Sequence, residues 1–419
     1  MKVPFKAGNI LIPKDADMYK WCVVACDQYT SEPDYWNEVK NIVGDSPSTL
    51  NLTLPEIYLE DSDVEDRIKS INENMKEYLD KDLFTEYKDS MIYLERTQND
   101  GKVREGLMGV VDLEDYSYEK GSQTLIRATE KTVIERIPPR MKVRENALLE
   151  LPHIMILIDD EKKDIIESLK NKVTDSDVVY DTDLMQKGGH IKGYKLSDEV
   201  ANEVIEKLGE LADKDNFEKK YDVTDKGVLL FAMGDGNHSL ATAKACYEKL
   251  KESMSEEEYL NHPARYALVE LVNLHSSALE FEAIHRVIFD TDVEDLVKSL
   301  NEYYTINEDG NGQKFELITK DYDKTLYIEN PKSNIAVGSI QMFLDEYLAN
   351  HQGKIDYIHG DDTTKEMASK EGNVGIIFVA MSKGDLFKTV ILDGALPRKT
   401  FSMGHAHDKR FYLEARKIK

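Results

Sequence analysis

The sequence predicts an α+β protein with mixed sheets and helices, arranged in two or more subdomains. Three observations favour this class. A length of 419 residues is enough for two or three domains. Predicted strands occur in hairpins as often as between helices. The sequence has no fixed-period repeat of the kind that indicates a solenoid. We place a soft division near residue 220, between an N-terminal α+β region (1–220) and a C-terminal α+β region (221–419).

Local patterns predict the elements of the first half. Apolar residues at helical spacing predict a helix over Val64–Leu79, and the Asp100-Gly101 pair predicts a tight turn between strands Met91–Thr97 and Val103–Leu113. The other elements predicted here are a helix at Met141–Leu151, a strand at His153–Ile158, helices at Lys162–Lys170 and Ser197–Ala212, and a strand at Gly227–Met233.

The second half has the same mixed character. Good helix formers at apolar spacing alternate with short β-branched runs, and stretches rich in turn formers separate them. The predicted helices are Ser239–Lys251, Val293–Tyr303 and Ile340–Asn350, and the predicted strands are Tyr266–Leu274, Ala283–Phe289, Val374–Met381, Thr389–Asp393 and Arg410–Ile418.

Charge and cysteine content exclude several functional classes. The chain carries 54 Lys+Arg against 80 Asp+Glu, a net charge of −26, which argues against general affinity for nucleic acid or an anionic membrane. Its three cysteines form no disulfide framework and suit a reducing compartment. The start lacks the apolar stretch of a secretory signal, and no apolar run is long enough to span a bilayer. We expect a soluble, cytoplasmic protein with a small-molecule substrate. Homo-oligomer formation stays open.

The segment GVLLFAMGDGNHSLATAKA is the strongest candidate for a site. An apolar strand leads through a glycine turn directly into an alanine-rich helix, whose first free N–H groups form an anion site. Asp235 and His238 beside it could bind a metal, accept a proton or orient a hydroxyl group. The predicted phosphate contacts of this turn are Gly234, Gly236, Asn237 and Ser239. The structural alternative is a tight turn with a capping Asn. No Lys follows the glycines, so the turn is not a P-loop.

A basic cluster lies within Arg127–Arg144 of this acidic chain. Clustered arginines suit bidentate binding of phosphate. The predicted phosphate contacts here are Arg127, Lys131, Arg140 and Arg144. Glu130, within the cluster, could serve as a base or a magnesium ligand. The alternative is that the basic side chains pair with the abundant Asp and Glu.

The tail, LPRKTFSMGHAHDKRFYLEARKI, is a second basic cluster. Arg398 and Lys399 are predicted phosphate contacts. His405 and His407 would face one side of an extended strand, which is metal-ligand spacing, and His359, Asp361 or Asp362 could supply a third ligand. The alternative is that both histidines are solvated or contact phosphate.

Together these segments resemble a known family. The motifs GDGNHSLATAK, RATEKT, PPRMKVRENALLELPHIMILIDD and the tail are similar to the bacterial and archaeal domain-of-unknown-function family 1015, as is the opening DMYKWCVVACDQYTSEPDYW. Many members carry Asp-Gly-His-His-Arg where this chain has Asp235 to Ser239. That element resembles the nucleotide-binding motif of the ParB/sulfiredoxin-like superfamily, which includes a free-serine kinase. Asp235, Gly236 and His238 keep the pattern, whereas Asn237 and Ser239 depart from it. The missing Arg removes a phosphate contact that Arg127 or Lys399 would have to replace.

The resemblance implies a phosphotransferase or phosphatase acting on a small phosphorylated metabolite, with serine or phosphoserine as the first choice. Its cofactors would be Mg²⁺, held by Asp235, and ATP or ADP, while Glu130 or His238 would accept the proton. The alternative is a non-catalytic regulator that binds a nucleotide or metabolite at the same anion site. DNA binding by analogy with ParB is disfavoured by the net charge of −26.

Overall fold

The computed structural model describes residues 2–419 and divides them into two compact units. Unit 1 comprises the described chain up to Ala128, Thr132–Leu279 and His405–Lys419, and unit 2 comprises Thr129–Lys131 and Glu280–Gly404. The expected division at residue 220 falls inside unit 1. Strands from before and after this position pair within a single sheet, and local sequence patterns do not reveal such pairings.

The strands are mostly short. The first fourteen are β1 (Phe5–Lys6), β2 (Gly8–Pro13), β3 (Val23–Val24), β4 (Phe84–Ser90), β5 (Ile92–Thr97), β6 (Val103–Asp112), β7 (Tyr116–Ser117), β8 (Ile126–Arg127), β9 (Leu149–Glu150), β10 (Met155–Ile158), β11 (Val178–Leu184), β12 (Gly189–Lys195), β13 (Phe231–Asp235) and β14 (Tyr266–Asn273). The others are β15 (Phe281–Phe289), β16 (Ile306–Asn307), β17 (Gln313–Ile318), β18 (Asp323–Ile328), β19 (Lys354–His359), β20 (Val374–Phe378), β21 (Phe401–Met403), β22 (Phe411–Tyr412) and β23 (Arg416–Lys417).

The α-helices lie between these strands. They are α1 (Met18–Trp21), α2 (Pro33–Val43), α3 (Val64–Asp80), α4 (Ile137–Arg144), α5 (Asp198–Leu211), α6 (Lys214–Tyr221), α7 (Asn237–Lys251), α8 (Glu256–Asn261), α9 (Val293–Tyr303), α10 (Ala336–Asn350), α11 (Asp361–Ala368) and α12 (Lys383–Asp393). Within residues 2–419, no helix combines the length and the apolar character that crossing a bilayer requires.

Unit 1 is built on a ten-stranded sheet. Its order is β11-β12-β5-β6-β14-β10-β13-β8-β7, and β1 pairs with β6. The strand pair β10 and β14 is parallel, whereas β13 runs antiparallel to β10 with Met155 opposite Asp235. Three two-stranded sheets accompany it: β2-β4, β22-β3 and β23-β9. The tail strands β22 and β23 therefore pair with the N-terminal part of the chain.

Unit 2 has a seven-stranded sheet of order β16-β18-β17-β20-β15-β19, with β21 paired to β15. The pairings in this sheet are antiparallel. The mixed sheet of unit 1, the antiparallel sheet of unit 2 and the helices of both units confirm the predicted α+β class. The parallel strand pairs of the unit 1 sheet are β10 with β14, β13 with β8, and β7 with β8. Its other strand pairs are antiparallel, as hairpin-rich patterns indicated.

Four local predictions differ from the structure. Lys162–Lys170 has no α-helix, because the Asp160 carboxylate holds a turn by accepting the N–H groups of Asp164 (2.9 Å) and Ile165 (3.0 Å). Thr389–Asp393 is the second half of α12, since a short apolar run does not distinguish helix from strand. Instead of the helix predicted at Met141–Leu151, the chain forms α4 over Ile137–Arg144, with prolines in its first turn. The strand predicted at Arg410–Ile418 is two short strands.

Candidate functional site

The GDGNHS segment forms a strand–turn–helix in unit 1. Strand β13 ends at Asp235 and helix α7 begins at Asn237. Gly236 lies between them with φ of +74°, and a Cβ at this position would lie 3.0 Å from the Cα of Ile154. Both constraints favour glycine. The turn therefore places Asp235 directly before the N–H groups of the first turn of α7, which have no partner within the helix.

Asp235 forms an ion pair with Lys409 from the tail. The Lys409 Nζ lies 3.1 Å from Asp235 Oδ2, and Asp235 Oδ1 accepts the N–H of Gly236 at 2.9 Å. Burial acts to raise the pKa of Asp235, but the charge and hydrogen bond of Lys409, with the hydrogen bond from the Gly236 N–H, lower it overall, so this pKa lies below its ordinary value. Asp235 is therefore a carboxylate at neutral pH. It is the one acidic side chain of the turn and could hold Mg²⁺ together with substrate phosphate oxygens.

His238 lies in the first turn of α7 as a neutral imidazole. Its Nε2 accepts the N–H of Val133 at 3.4 Å. Burial, with the positive charges of Arg140 and Arg136, lowers the pKa of His238 to about 4. The ring proton then sits on Nδ1, which makes this atom a hydrogen-bond donor. The predicted role of His238 as proton acceptor is thus not supported by its geometry.

A second histidine, His153, was missed by the sequence reasoning. It is buried directly before β10, and its Nε2 lies 3.1 Å from Ser239 Oγ while its Nδ1 lies 2.8 Å from Tyr412 Oη. The Asp27 Oδ2 atom is 3.7 Å from the same Nε2. The pairing of β10 with β13 brings these residues together across 86 positions of sequence. The signal in the sequence was that His153 is a polar residue two positions before the fully apolar strand β10.

A cavity of about 140 Å³ lies beside these groups in unit 1. Its wall is largely apolar, with polar side chains from α4, α7 and the tail. The polar side chains that line it are Glu56, Arg140, Arg144, Glu150, His153, Ser239, Thr242 and Tyr412. Sites for drug-sized ligands are about 300–1,000 Å³, so this cavity suits a small metabolite or one part of a larger ligand.

The two arginines of this cavity already have carboxylate partners. Arg140 forms an ion pair with Glu56, and Arg144 Nη2 lies 2.5 Å from Glu150 Oε2. The structure thus brings Arg140 and Arg144 to the cavity. It also pairs both side chains with acidic residues, which was the alternative interpretation of the basic cluster. A phosphate would have to share these guanidinium groups with Glu56 and Glu150.

Arg127 lies in β8, and its side chain forms hydrogen bonds with backbone carbonyl groups. Its buried guanidinium donates to the carbonyl groups of Thr124 (2.8 Å), Gly227 (2.6 Å) and Val228 (3.2 Å). Its donors hold two chain segments together, which leaves it unsuited to replace the missing phosphate contact. The predicted phosphate role of Arg127 is therefore corrected to a structural one.

Four of the predicted site residues belong to unit 2: Glu130, Lys131, Arg398 and Lys399. Within that unit, Arg398 Nε donates to Tyr357 Oη at 2.8 Å. The carbonyl groups of Arg398 and Lys399 accept hydrogen bonds from the buried Arg286. Lys131 is exposed. The catalytic role of Glu130 and the phosphate roles of the three basic residues stay predictions.

The structure does not complete a metal site at His405 and His407. The two rings stack with centroids 5.4 Å apart, because residues 406–408 form a 3-10 turn instead of the expected extended strand. Across residues 2–419, the group of three side chains close enough to share a metal ion is Asp159, Glu161 and His275. Neither tail histidine belongs to it.

The Asp159 group is satisfied internally. Asp159 is buried and accepts hydrogen bonds from Tyr221 Oη (2.5 Å), His275 Nε2 (2.6 Å) and Lys220 Nζ (3.0 Å). Burial acts to raise the pKa of Asp159, but the hydrogen bonds from Tyr221 and His275 lower it overall. Since three side chains already donate to this one carboxylate, the group is a structural network.

Unit 2 has a larger cavity of its own, of about 590 Å³. It lies where β15 and β17 begin and where β19 and β20 end. The buried His285 anchors its wall: Nε2 lies 2.8 Å from Asp361 Oδ1, and Nδ1 accepts the N–H of Phe378 at 3.3 Å. Lys314 and His359 also line it. Both ring nitrogens of His285 are engaged, so His285 is a fixed recognition group of this cavity rather than a free base.

Comparisons with solved structures gave distant likenesses. A free serine kinase in complex with AMP aligns with a TM-score of 0.38 and 10% identity, covering 76% of this chain and 93% of the other. A conserved hypothetical protein from Pyrococcus furiosus aligns with a TM-score of 0.35 and 12% identity, covering 76% and 96%. A C-terminally truncated SbnI from Staphylococcus aureus aligns with a TM-score of 0.36 and 8% identity, covering 71% and 82%. A search of curated proteins found no match.

The family of this chain follows from a match to a family model. A family model described as "Protein of unknown function (DUF1015)" matches residues 3–347, a span that includes the glycine turn, the basic segment and most of unit 2. This match confirms the resemblance inferred from the motifs, and the chain belongs to the DUF1015 family.

Proposed function

We propose that the protein transfers a phosphoryl group to or from a small metabolite at the glycine turn of unit 1. The observation that carries this proposal is the Asp235–Lys409 pair, at 3.1 Å, placed directly before the free N–H groups of α7. Helix N-termini bind phosphate oxygens, and a neighbouring lysine adds a full positive charge. A carboxylate at the same turn supplies the position for Mg²⁺.

The chemistry requires positioning and charge neutralisation more than covalent chemistry by the protein. The N–H groups of α7 and Lys409 would hold the phosphoryl oxygens. His238 would donate from Nδ1, since its neutral ring keeps that proton at pH 7. Mg²⁺ bound at Asp235 would neutralise charge on the phosphates when present. Each of these groups would stabilise the charge that develops on the phosphoryl and leaving oxygens in the transition state.

One unsatisfied atom supports an amino or hydroxyl group on the substrate. Asn237 Oδ1 is buried and accepts no hydrogen bond. A buried acceptor without a partner costs about 1–3 kcal/mol, which a substrate N–H or O–H would recover. Serine or phosphoserine is the first candidate because both carry an amino group and serine also carries a hydroxyl, and because the turn sequence resembles that of the free-serine kinases. ATP or ADP would be the phosphoryl donor or acceptor.

Phosphorus NMR tests the proposal directly. Purified protein with Mg²⁺ would be mixed with phosphoserine alone, with phosphoserine and ADP, and with serine and ATP. A new phosphorus resonance is expected in at least one mixture. Asp235→Asn should slow its appearance about 100-fold or more, the typical loss when a group that stabilises transition-state charge is removed.

The matched control is an exposed ion pair of the same chemistry. Asp82 lies 2.6 Å from Lys14 in unit 1, and its side chain is largely exposed. Asp82→Asn should leave the rate unchanged. If every mixture stays unchanged with the wild-type protein, phosphoryl transfer on serine is wrong. If Asp82→Asn and Asp235→Asn slow the reaction equally, the turn is not the site.

The second candidate function is a regulator that binds a metabolite without turnover. The unit 2 cavity favours it, because its volume of about 590 Å³ and its fixed His285–Asp361 pair suit recognition more than catalysis. Calorimetry with ATP, ADP, serine and phosphoserine should then give binding that persists in Asp235→Asn, with no product in the NMR mixtures.

A further inference from the structure

We infer that Ser239 is an activated nucleophile, with His153 as its base, and that it carries the phosphoryl group as a covalent intermediate. The inference rests on the proposed function for its substrate class. It is carried by a contiguous relay of side chains: Ser239 Oγ lies 3.1 Å from His153 Nε2, and His153 Nδ1 lies 2.8 Å from Tyr412 Oη. A nucleophile, a base in hydrogen-bond reach and a third group that orients the base form the arrangement that activates serine hydroxyls.

The base of this relay is held rigidly. His153 and Tyr412 are 6% and 2% exposed, and their rings meet edge to face with centroids 5.6 Å apart. Tyr412 lies in β22, which pairs with β3, and its Oη also accepts the N–H of Cys26 at 3.1 Å. Ser239, in contrast, is half-buried and lines the 140 Å³ cavity. The relay therefore has a buried, oriented end and an end open to a ligand.

The contacts of His153 accommodate the tautomer that the reaction requires. With its proton on Nδ1, His153 donates to Tyr412 Oη and presents the Nε2 lone pair to the Ser239 hydroxyl. Asp27 Oδ2 lies 3.7 Å from Nε2 and is oriented by Gln28, whose Nε2 donates to Asp27 Oδ1 at 3.0 Å. This carboxylate would stabilise the imidazolium that forms once His153 has taken the serine proton.

The position of Ser239 in α7 suits a phosphorylated state. It is the third residue of the helix, which begins at Asn237. A phosphate on this side chain lies at the positive end of the helix dipole, next to free N–H groups. Thr242, which lines the same cavity, donates its hydroxyl to the carbonyl of His238 at 2.7 Å and has no histidine partner. Of these two hydroxyls, the structure activates Ser239.

Two displacements balance the reaction. In the first, the Ser239 Oγ–phosphorus bond forms and the bond from phosphorus to the donor oxygen breaks, while the Oγ proton passes to His153 Nε2 and then to the leaving oxygen. In the second, the acceptor hydroxyl or a water attacks phosphorus, and the Oγ–phosphorus bond breaks. The acceptor proton passes through His153 to Oγ. No oxidant or further reactant is consumed.

A chemical probe tests the nucleophile independently of the natural substrate. Diisopropyl fluorophosphate forms a serine Oγ–phosphorus bond with loss of fluoride, and mass spectrometry of peptides locates the adduct. Labelling is expected at Ser239 in the folded protein and should be lost in Ser239→Ala. His153→Gln should slow it about 100-fold or more, the usual contribution of a general base. Tyr412→Phe should slow it less, because the ring still packs against His153.

The control serine lies just beyond the end of α7. Ser253 is exposed and donates to the carbonyl of Leu250 at 3.1 Å. Ser253→Ala should leave labelling unchanged. Circular dichroism would verify that each variant is folded. Labelling of Ser239 at the rate found in urea-unfolded protein, or equal labelling in His153→Gln, would overturn the inference.

The same samples separate this inference from the proposed function. Acid-quenched reactions with the phosphoryl donor found by NMR should show one added phosphoryl mass on the Ser239 peptide. Full turnover by Ser239→Ala would mean direct transfer, which refutes the intermediate and leaves the proposed function standing. Probe labelling at Ser239 without turnover of any phosphate mixture would establish the activated serine and refute phosphoryl transfer on serine as its reaction.

Discussion

At the scale of single residues, environment decides the role of each ionisable group more than its type does. Asp235 and His238 lie three positions apart, yet Lys409 keeps one charged while burial and two arginines keep the other neutral. Arg127 shows the same effect. In sequence it was a phosphate ligand, but in the structure its donors satisfy three backbone carbonyl groups.

The pKa of His238 predicts how stability depends on pH. Its value is about 4 in the folded protein and ordinarily 6.5, so between these values the unfolded chain binds more protons than the folded one. The stabilisation is fully present above pH 6.5 and is lost as pH falls towards 4. His238→Gln should therefore flatten the fall of Tm over this window, measured by circular dichroism at matched ionic strength. A parallel fall in both proteins would contradict the assignment.

At the scale of elements, the glycine turn depends on close approach as well as on backbone freedom. Gly236 has positive φ and would place a Cβ 3.0 Å from the Ile154 backbone. The turn therefore packs directly against the segment that carries His153. Local structure and the site are therefore coupled at one position.

Gly236→Ala separates these two effects when compared with Gly121→Ala. Gly121 has φ of +80° with no atom within 4 Å of an added Cβ, so its substitution costs only the backbone term, about 1–2 kcal/mol. Gly236→Ala should lower the free energy of unfolding by more than this, measured by urea denaturation, and should reduce phosphoryl transfer. Equal losses in the two variants would show that the contact with Ile154 is unimportant.

At the scale of the molecule, the tail is an integral part of unit 1. Trp21 Nε1 donates to the carbonyl of Leu413 at 2.8 Å, and β22 and β23 pair with β3 and β9. The buried Arg410 forms ion pairs with Glu270 of β14 and with Glu414. These contacts place Lys409 at Asp235 and Tyr412 at His153, so the site depends on residues near both ends of the described chain.

Arg410→Met tests the weight of this buried network. Removing Arg410 leaves the buried Glu414 without its cationic partner and Glu270 with Arg104 alone, and breaking a buried pair in this way typically costs about 3–5 kcal/mol. The matched control is Arg67→Met, because Arg67 pairs with Asp63 at 2.9 Å on the surface, where such pairs contribute less than about 1 kcal/mol. Urea denaturation should show a clear loss for Arg410→Met alone. Equal, small losses would mean that packing, not charge, holds the tail.

The fold class, the family and the strand–turn–helix at Gly234–Ser239 could be predicted from the sequence alone. These follow from hydrophobic periodicity, turn residues and motif order, which are local properties of the chain. It also placed Arg140 and Arg144 in a common cluster. It did not distinguish a helix from a strand at Thr389–Asp393, because five residues contain too little of either period.

Only the tertiary structure decided which groups meet at the turn. His153 and Tyr412 reach Ser239, and Lys409 reaches Asp235, through the register of β10 with β13 and the pairing of the tail with β3 and β9. It also assigned Glu56 and Glu150 to Arg140 and Arg144. Pairings between distant strands depend on the packing of the whole unit, and the spacing of residues along the chain carries little information about them.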